Sequence, residues 1–259
     1  MRVPSWIVVV LALGVFAPGR ARAEHDHGGG HHHPVETVSS FGAGVGLVAA
    51  RYDTEVYVGD YQGVLPTLSW MRGRFGASAA VGAYRLVENG LTRYGVSDVV
   101  LSAQATLAEG HGALLGVALP VSLPTGDRYG GFGMGHVMVM PAVWASGAVG
   151  RVRVGGSVGF GRAIGGEAHH DHGSWPLVDP MNLQELTWTA NAYVPLARAL
   201  QAGVKMSGGI PIGDGRNRAS GGVRAMWTQG QVETAFEVQA GFAGDPFIVR
   251  GLVESAVHF

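Results

Sequence analysis

The stretch Glu185-Leu186-Thr187-Trp188-Thr189-Ala190-Asn191-Ala192-Tyr193-Val194-Pro195-Leu196 alternates strictly. Leu186, Trp188, Ala190, Ala192, Val194 and Leu196 share one face, while Glu185, Thr187, Thr189, Asn191 and Tyr193 share the other. A period of two is the signature of an extended strand with one apolar side. Its length exceeds the roughly 9–11 residues that a tilted strand needs to cross a bilayer. The same split recurs at 97–107, where Val99, Leu101, Ala103, Ala105 and Leu107 oppose Asp98, Ser102, Gln104 and Thr106. It recurs again at 231–242, where Val232, Phe236, Val238 and Phe242 oppose Glu233, Glu237 and Gln239. Six such strand pairs can be drawn along the chain. Alternation alone fits a soluble sandwich as well as a membrane barrel, because either architecture buries one face of each strand.

The connections separate the two. Long stretches at 52–62, 87–95, 125–135 and 165–184 alternate with short ones at Gly73, 109–112, 147–150 and 197–199, and 213–218, Gly230 and 243–245 complete the series. Outer-membrane meanders have short periplasmic turns and longer extracellular loops, whereas a Greek-key sandwich has no reason to alternate in this way. The fold expected is all-β: an antiparallel up-and-down transmembrane barrel of about 12 strands, occupying residues 39–259, with both of its ends on the periplasmic side. Val249, Val253 and Val257 lead on one face to a terminal aromatic, Phe259, opposite Arg250, Glu254 and His258. That ending resembles the signal read by the outer-membrane barrel assembly machinery, which is therefore an expected partner, together with outer-membrane lipid.

Composition agrees. Of 259 residues, 43 are glycine, 47% are hydrophobic and 14% are charged, an unusual balance for a soluble domain. No apolar run approaches the ~18 residues of a spanning helix. Residues 1–23 combine Arg2, an apolar segment from Ile7 to Ala17 and the tripeptide Ala21-Arg22-Ala23, the pattern of a cleaved secretory signal peptide. Its removal would take three arginines (Arg2, Arg20, Arg22), leaving 15 of the 18 basic side chains against 19 acidic ones. That balance argues against nucleic acid as a partner. The chain has no cysteine, which excludes a disulfide framework, a thiolate metal site and an N-terminal lipid anchor.

Three motifs mark strand ends: Leu123-Pro124-Thr125-Gly126-Asp127, Ile210-Pro211-Ile212-Gly213-Asp214 and Gly95-Val96-Ser97-Asp98. Proline ends ladder donation and Gly-Asp favours a tight turn, so each is explicable as rim turn chemistry. Taken with the signal peptide and Phe259, they resemble a family of bacterial outer-membrane proteins named for the meta-pathway of phenol degradation. The resemblance implies a barrel in the outer membrane that acts as a transporter of hydrophobic or aromatic compounds.

Inside such a barrel, Asp98, Gln104, His136, Glu185, Lys205, Arg224, Glu233, Glu237, Arg250 and Glu254 are expected to line the pore, either as ion-pair ladders or as a wet wall. Gly76, Ala80, Gly82, Gly116, Ala118 and Gly203 are expected to face inward and leave space. The reading that follows is a channel for passive diffusion of small molecules, hydrophobic or aromatic ones among them. No catalytic residue is expected: Ser122, Ser146 and Ser207 have no histidine two or four residues away, and there is neither a phosphate loop nor an HExxH helix. A non-conducting structural or surface barrel is one rival.

A metal-linked barrel is the other. Eight of eleven histidines fall in two clusters: His25, His27, His31, His32 and His33 in the expected periplasmic segment 24–38, and His169, His170 and His172 around Asp171. Imidazole suits zinc and copper, and an adjacent carboxylate adds a donor. The one cofactor expectation is thus weak Zn or Cu binding at these nine residues. Calorimetric titration with Zn should show affinity falling as the pH drops through about 6.5, since binding needs neutral imidazole. Changing His169, His170 and His172 together to alanine should remove one site. Unchanged stoichiometry would exclude the loop.

Overall fold

The computed structural model describes residues 39–53, 58–165, 181–243 and 247–259. Among them, fifteen strand segments form one antiparallel sheet. They are β1 (Ser39–Asp53), β2 (Val58–Arg72), β3 (Phe75–Ala80), β4 (Ala83–Glu88), β5 (Leu91–Val96), β6 (Val99–Gly110), β7 (Ala113–Leu123), β8 (Val137–Val139), β9 (Ala142–Val149), β10 (Val152–Ile164), β11 (Gln184–Pro195), β12 (Leu200–Pro211), β13 (Arg218–Gln229), β14 (Val232–Ala243) and β15 (Phe247–His258). β3 with β4, β5 with β6, and β8 with β9 are the halves of single wall strands. The wall therefore has twelve strands, as the alternation predicts.

The sheet closes on itself. β1 pairs with β2 along one edge and with β15 along the other, from Gly42↔His258 to Tyr52↔Phe247. The seam ends in a reciprocal pair of backbone bonds, Phe41 N–H donating to the Phe259 carbonyl and Phe259 N–H to that of Phe41. Closure matters because an unpaired ladder of N–H and C=O groups cannot be left in hydrocarbon. Along β1, buried or half-buried residues alternate with exposed ones over all fifteen positions. Val48, Ala50 and Tyr52 point in; Phe41, Val45 and Leu47 point out. The outward side chains of β14 and β15, among them Phe236, Val238, Phe242, Val249 and Val253, are also exposed and apolar. A closed sheet wearing an apolar belt around a polar interior is soluble only in a bilayer. The chain is a transmembrane β-barrel.

The two barrel ends differ as expected, with one correction. The turns at 73–74, 111–112, 150–151 and 230–231 are two residues long and 196–199 is four, whereas 124–136, 165–183 and 212–217 are longer. The predicted loops at 52–62 and 87–95 are mostly strand: β1 and β2 stay paired to Asp53↔Val58, and β4 and β5 are joined by Asn89-Gly90 alone. Both residues adopt left-handed backbone, with φ of 47° and 83°. This is the two-residue turn whose twist matches a hairpin, and Asn-Gly is its strongest sequence signal. β5 pairs with β4 and not with β7, so this hairpin rises past the upper end of β7. The short turns mark the periplasmic end.

If the belt faces lipid, Val238→Arg should cost about 2–4 kcal/mol near the bilayer midplane. Gln239→Asn, on the adjacent inward position, should cost much less. Unfolding from lipid bilayers measures both, and equal losses would contradict the assigned faces.

Candidate functional site: the barrel lumen

The ten side chains expected inside all occupy inward positions. Asp98 lies in the break between β5 and β6, Gln104 on β6, His136 just before β8, Glu185 on β11, Lys205 on β12, Arg224 on β13, Glu233 and Glu237 on β14, and Arg250 and Glu254 on β15. All are buried except Gln104, Glu233 and Glu254, which are half-buried. Five of them form a ladder across four strands. Glu237 binds Lys205 at 3.5 Å and Arg224 at 2.6 Å, and Arg224 reaches on to Glu254 at 2.8 Å. From Glu237 the chain continues through the amide of Gln239 to the guanidinium of Arg250. Nearer the extracellular end, Arg218 pairs with Glu185, which also accepts from the Asn182 side chain at 2.7 Å. Strand register explains the ladder: Arg224 stands opposite Glu237, and Gln239 opposite Arg250.

The adjoining wall is apolar in its extracellular half. Val48, Ala50 and Tyr52 of β1, Tyr61 of β2, Tyr84 and Leu86 of β4, Phe247 of β15 and Phe132 form one buried cluster. Tyr61 and Tyr84 meet edge to face with ring centroids 6.0 Å apart, the arrangement favoured by their quadrupoles. The Tyr52 hydroxyl donates to the Val87 carbonyl. A Cβ at Gly59 would strike both groups, so that contact requires glycine.

Phe132 reaches this cluster because its loop folds inward, and Asp98 pins the loop at two points. One carboxylate oxygen accepts from Gly126 N–H at 2.8 Å and the other from Met134 N–H at 2.7 Å. Thr125 Oγ1 accepts from Val99 N–H at 2.8 Å. Two motifs read separately as turn chemistry are therefore one latch, in which Gly95-Val96-Ser97-Asp98 holds Leu123-Pro124-Thr125-Gly126-Asp127. Asp127 behaves as an ordinary turn residue, its carboxylate accepting from Tyr129 N–H at 3.0 Å.

The four inward glycines do not leave the space expected of them. An added Cβ would collide with Met71 and Gln104 at Gly76, with Tyr84 at Gly82, with Trp144 at Gly116 and with Tyr193 at Gly203. Large neighbours lie across these glycines, covering backbone that would otherwise be bare. The tyrosines and phenylalanines of the inner cluster were not singled out from the sequence, although the alternation of β1 already places Tyr52 on the inward face. The nine candidate metal ligands, His25, His27, His31, His32, His33, His169, His170, Asp171 and His172, lie outside the described residues.

No protein-family model and no curated protein matches the chain. Solved structures do. An outer-membrane channel from Pseudomonas putida F1 is 11% identical, with a TM-score of 0.64 over 90% of this chain and 100% of that one. The KdgM porin is 10% identical with a TM-score of 0.52, over 86% and 99% of the two chains. The translocator domain of the autotransporter NalP from Neisseria meningitidis is 14% identical with a TM-score of 0.52, over 90% of each. At these identities the likeness establishes the fold that the three share, an outer-membrane barrel.

The ladder predicts an order of sensitivity. Glu237→Gln leaves Lys205 and Arg224 facing each other, and breaking a buried pair in this way costs about 3–5 kcal/mol. Glu254→Gln removes a partner that is 27% exposed and should cost less. Equal shifts in the heat-induced gel-mobility transition would contradict this arrangement.

Proposed function

We propose that this barrel is a passive conduit across the outer membrane for small molecules with an apolar or aromatic body. The observation that carries the reading is the inner surface, which combines an aromatic wall with a charged ladder inside one closed sheet. A purely structural barrel of this size has no need of buried charge, which is costly to desolvate and is more simply replaced by packed apolar side chains. The resemblance to the phenol meta-pathway family and the fold shared with a channel and a porin point the same way. No step of the reading calls for a catalytic group.

The inward loop sets the aperture in this proposal. Asp98 holds it by two backbone bonds, and Phe132 anchors it in the aromatic cluster. In planar bilayers the purified protein should give small, discrete conductance steps. Asp98→Ala should enlarge or destabilise them by releasing the loop, with no loss of the heat-modifiable barrel. Absence of conductance and of solute flux into liposomes, in both wild type and Asp98→Ala, would replace the conduit with a closed scaffold.

A further inference from the structure

The two rims of the barrel carry charge differently. Signs are mixed at the extracellular rim, where Asp60 binds Arg85 and Asp53, Glu88 and Asp127 stand among Arg51, Arg93 and Arg128. The periplasmic rim is basic. Arg72 and Arg74 lie at the β2–β3 turn, His111 in the β6–β7 turn, Arg151 and Arg153 at the β9–β10 turn, and Arg198 in the β11–β12 turn. These four turns follow one another around the rim, and all six side chains are exposed. Among the described residues none of the five arginines enters a salt bridge. The acids at this end are Glu109 and the terminal carboxylate of Phe259, while Glu233 and Glu254 face the lumen.

Depth decides what such an arc can meet. Phe41 and Trp70 stand opposite one another on the outward face two residues above Arg72, with Phe75 beside it. Aromatic girdles of this kind mark the level at which hydrocarbon gives way to headgroups. Val149 and Leu196, exposed and apolar, precede Arg151 and Arg198 by two residues each. At about 3.3 Å per residue, the cations therefore begin within about 7 Å of the edge of the belt. A headgroup layer is about 5–8 Å thick on each side of the hydrocarbon. Turns of two to four residues cannot carry the arginines beyond that layer, so they lie among lipid phosphates, where a soluble partner would have to reach through the headgroups. Guanidinium and phosphate make paired, charge-assisted bonds.

We infer that this arc binds the phosphates of anionic phospholipids in the periplasmic leaflet. Successive turns are two strands apart, about 10 Å along the rim, so each basic turn meets a headgroup of its own. A lipid with a net negative charge is favoured because the arc holds five arginines with few acids to offset them. The β13–β14 turn, Gly230-Gln231, and the seam beside Phe259 contain no arginine, which confines the preference to one side of the barrel. The inference is independent of whether the lumen conducts.

The test reconstitutes the purified full-length barrel in phosphatidylcholine bilayers with a trace of spin-labelled phosphatidylglycerol or spin-labelled phosphatidylcholine. Electron paramagnetic resonance reads the fraction of each label held at the protein surface. Phosphatidylglycerol should be favoured at least twofold at low salt, and the preference should vanish near 1 M salt, where screening acts over about 3 Å. Changing Arg74, Arg151 and Arg198 together to glutamine should remove at least half of it without altering the heat-modifiable mobility of the barrel. Arg51→Gln with Arg162→Gln, at exposed positions near the other rim, should lower it much less. Equal association of the two labels with the wild type overturns the inference, as does an undiminished preference in the folded triple variant. Equal losses in the two sets of variants would assign the effect to surface cations in general and overturn the arc. Binding of poly-glutamate to the reconstituted barrel without any lipid preference would make the arc a dock for an acidic protein and overturn the lipid reading.

Discussion

Backbone hydrogen bonding with no water to fall back on is the constraint from which the remaining features follow. Each N–H and C=O in the hydrocarbon region must find its partner on a neighbouring strand, so the sheet has to close. The seam between β1 and β15 achieves this, with register maintained over most of both strands. Closure in turn gives every strand an inside and an outside. The outside carries a belt of apolar side chains because lipid requires it, and within that belt the inside becomes the place where charge can be kept.

Charge inside a narrow barrel is held under conditions closer to a protein core than to a surface. Glu237 is shared by Lys205 and Arg224, and Arg224 is shared in turn by Glu237 and Glu254. In a ladder of this kind no member can be removed without exposing another, which ties four adjacent strands together through side chains as well as backbone. The neighbouring wall is held differently, by edge-to-face tyrosines and the inserted Phe132. The lumen thus has a polar, cross-braced side and an apolar, packed side, and Arg250 stands at their junction.

Much of this was legible because a period of two is short and repeats. Once the segment 185–196 is assigned an inside and an outside, Lys205, Arg224 and Glu237 follow by the same parity on later strands. Parity says nothing of partners, however. The pairing of Arg218 with Glu185, or of Asp98 with Gly126 and Met134, depends on which strands adjoin and on how a loop folds back. The glycines misled for the same reason: Gly116 is small by itself, but the space above it belongs to Trp144 from a neighbouring strand. The overlong loop at 87–95 was a different kind of miss. Asn89-Gly90 is a local hairpin signal, and Thr92, Arg93 and Gly95 interrupt the apolar alternation of the strand that follows it.

The β1–β15 seam also has a meaning in time. Strands such as β6 and β7, or β13 and β14, are hairpin neighbours that can pair as soon as both exist, but β1 must wait for a partner about two hundred residues away. Joining ends so far apart carries the largest loop-closure entropy in the molecule. Until that join is made, both β1 and β15 present open edges able to pair with any other extended chain. The reciprocal bonds between Phe41 and Phe259 are therefore the last stitch of the sheet. A nearly finished barrel therefore has to be kept apart from its neighbours until it is tied.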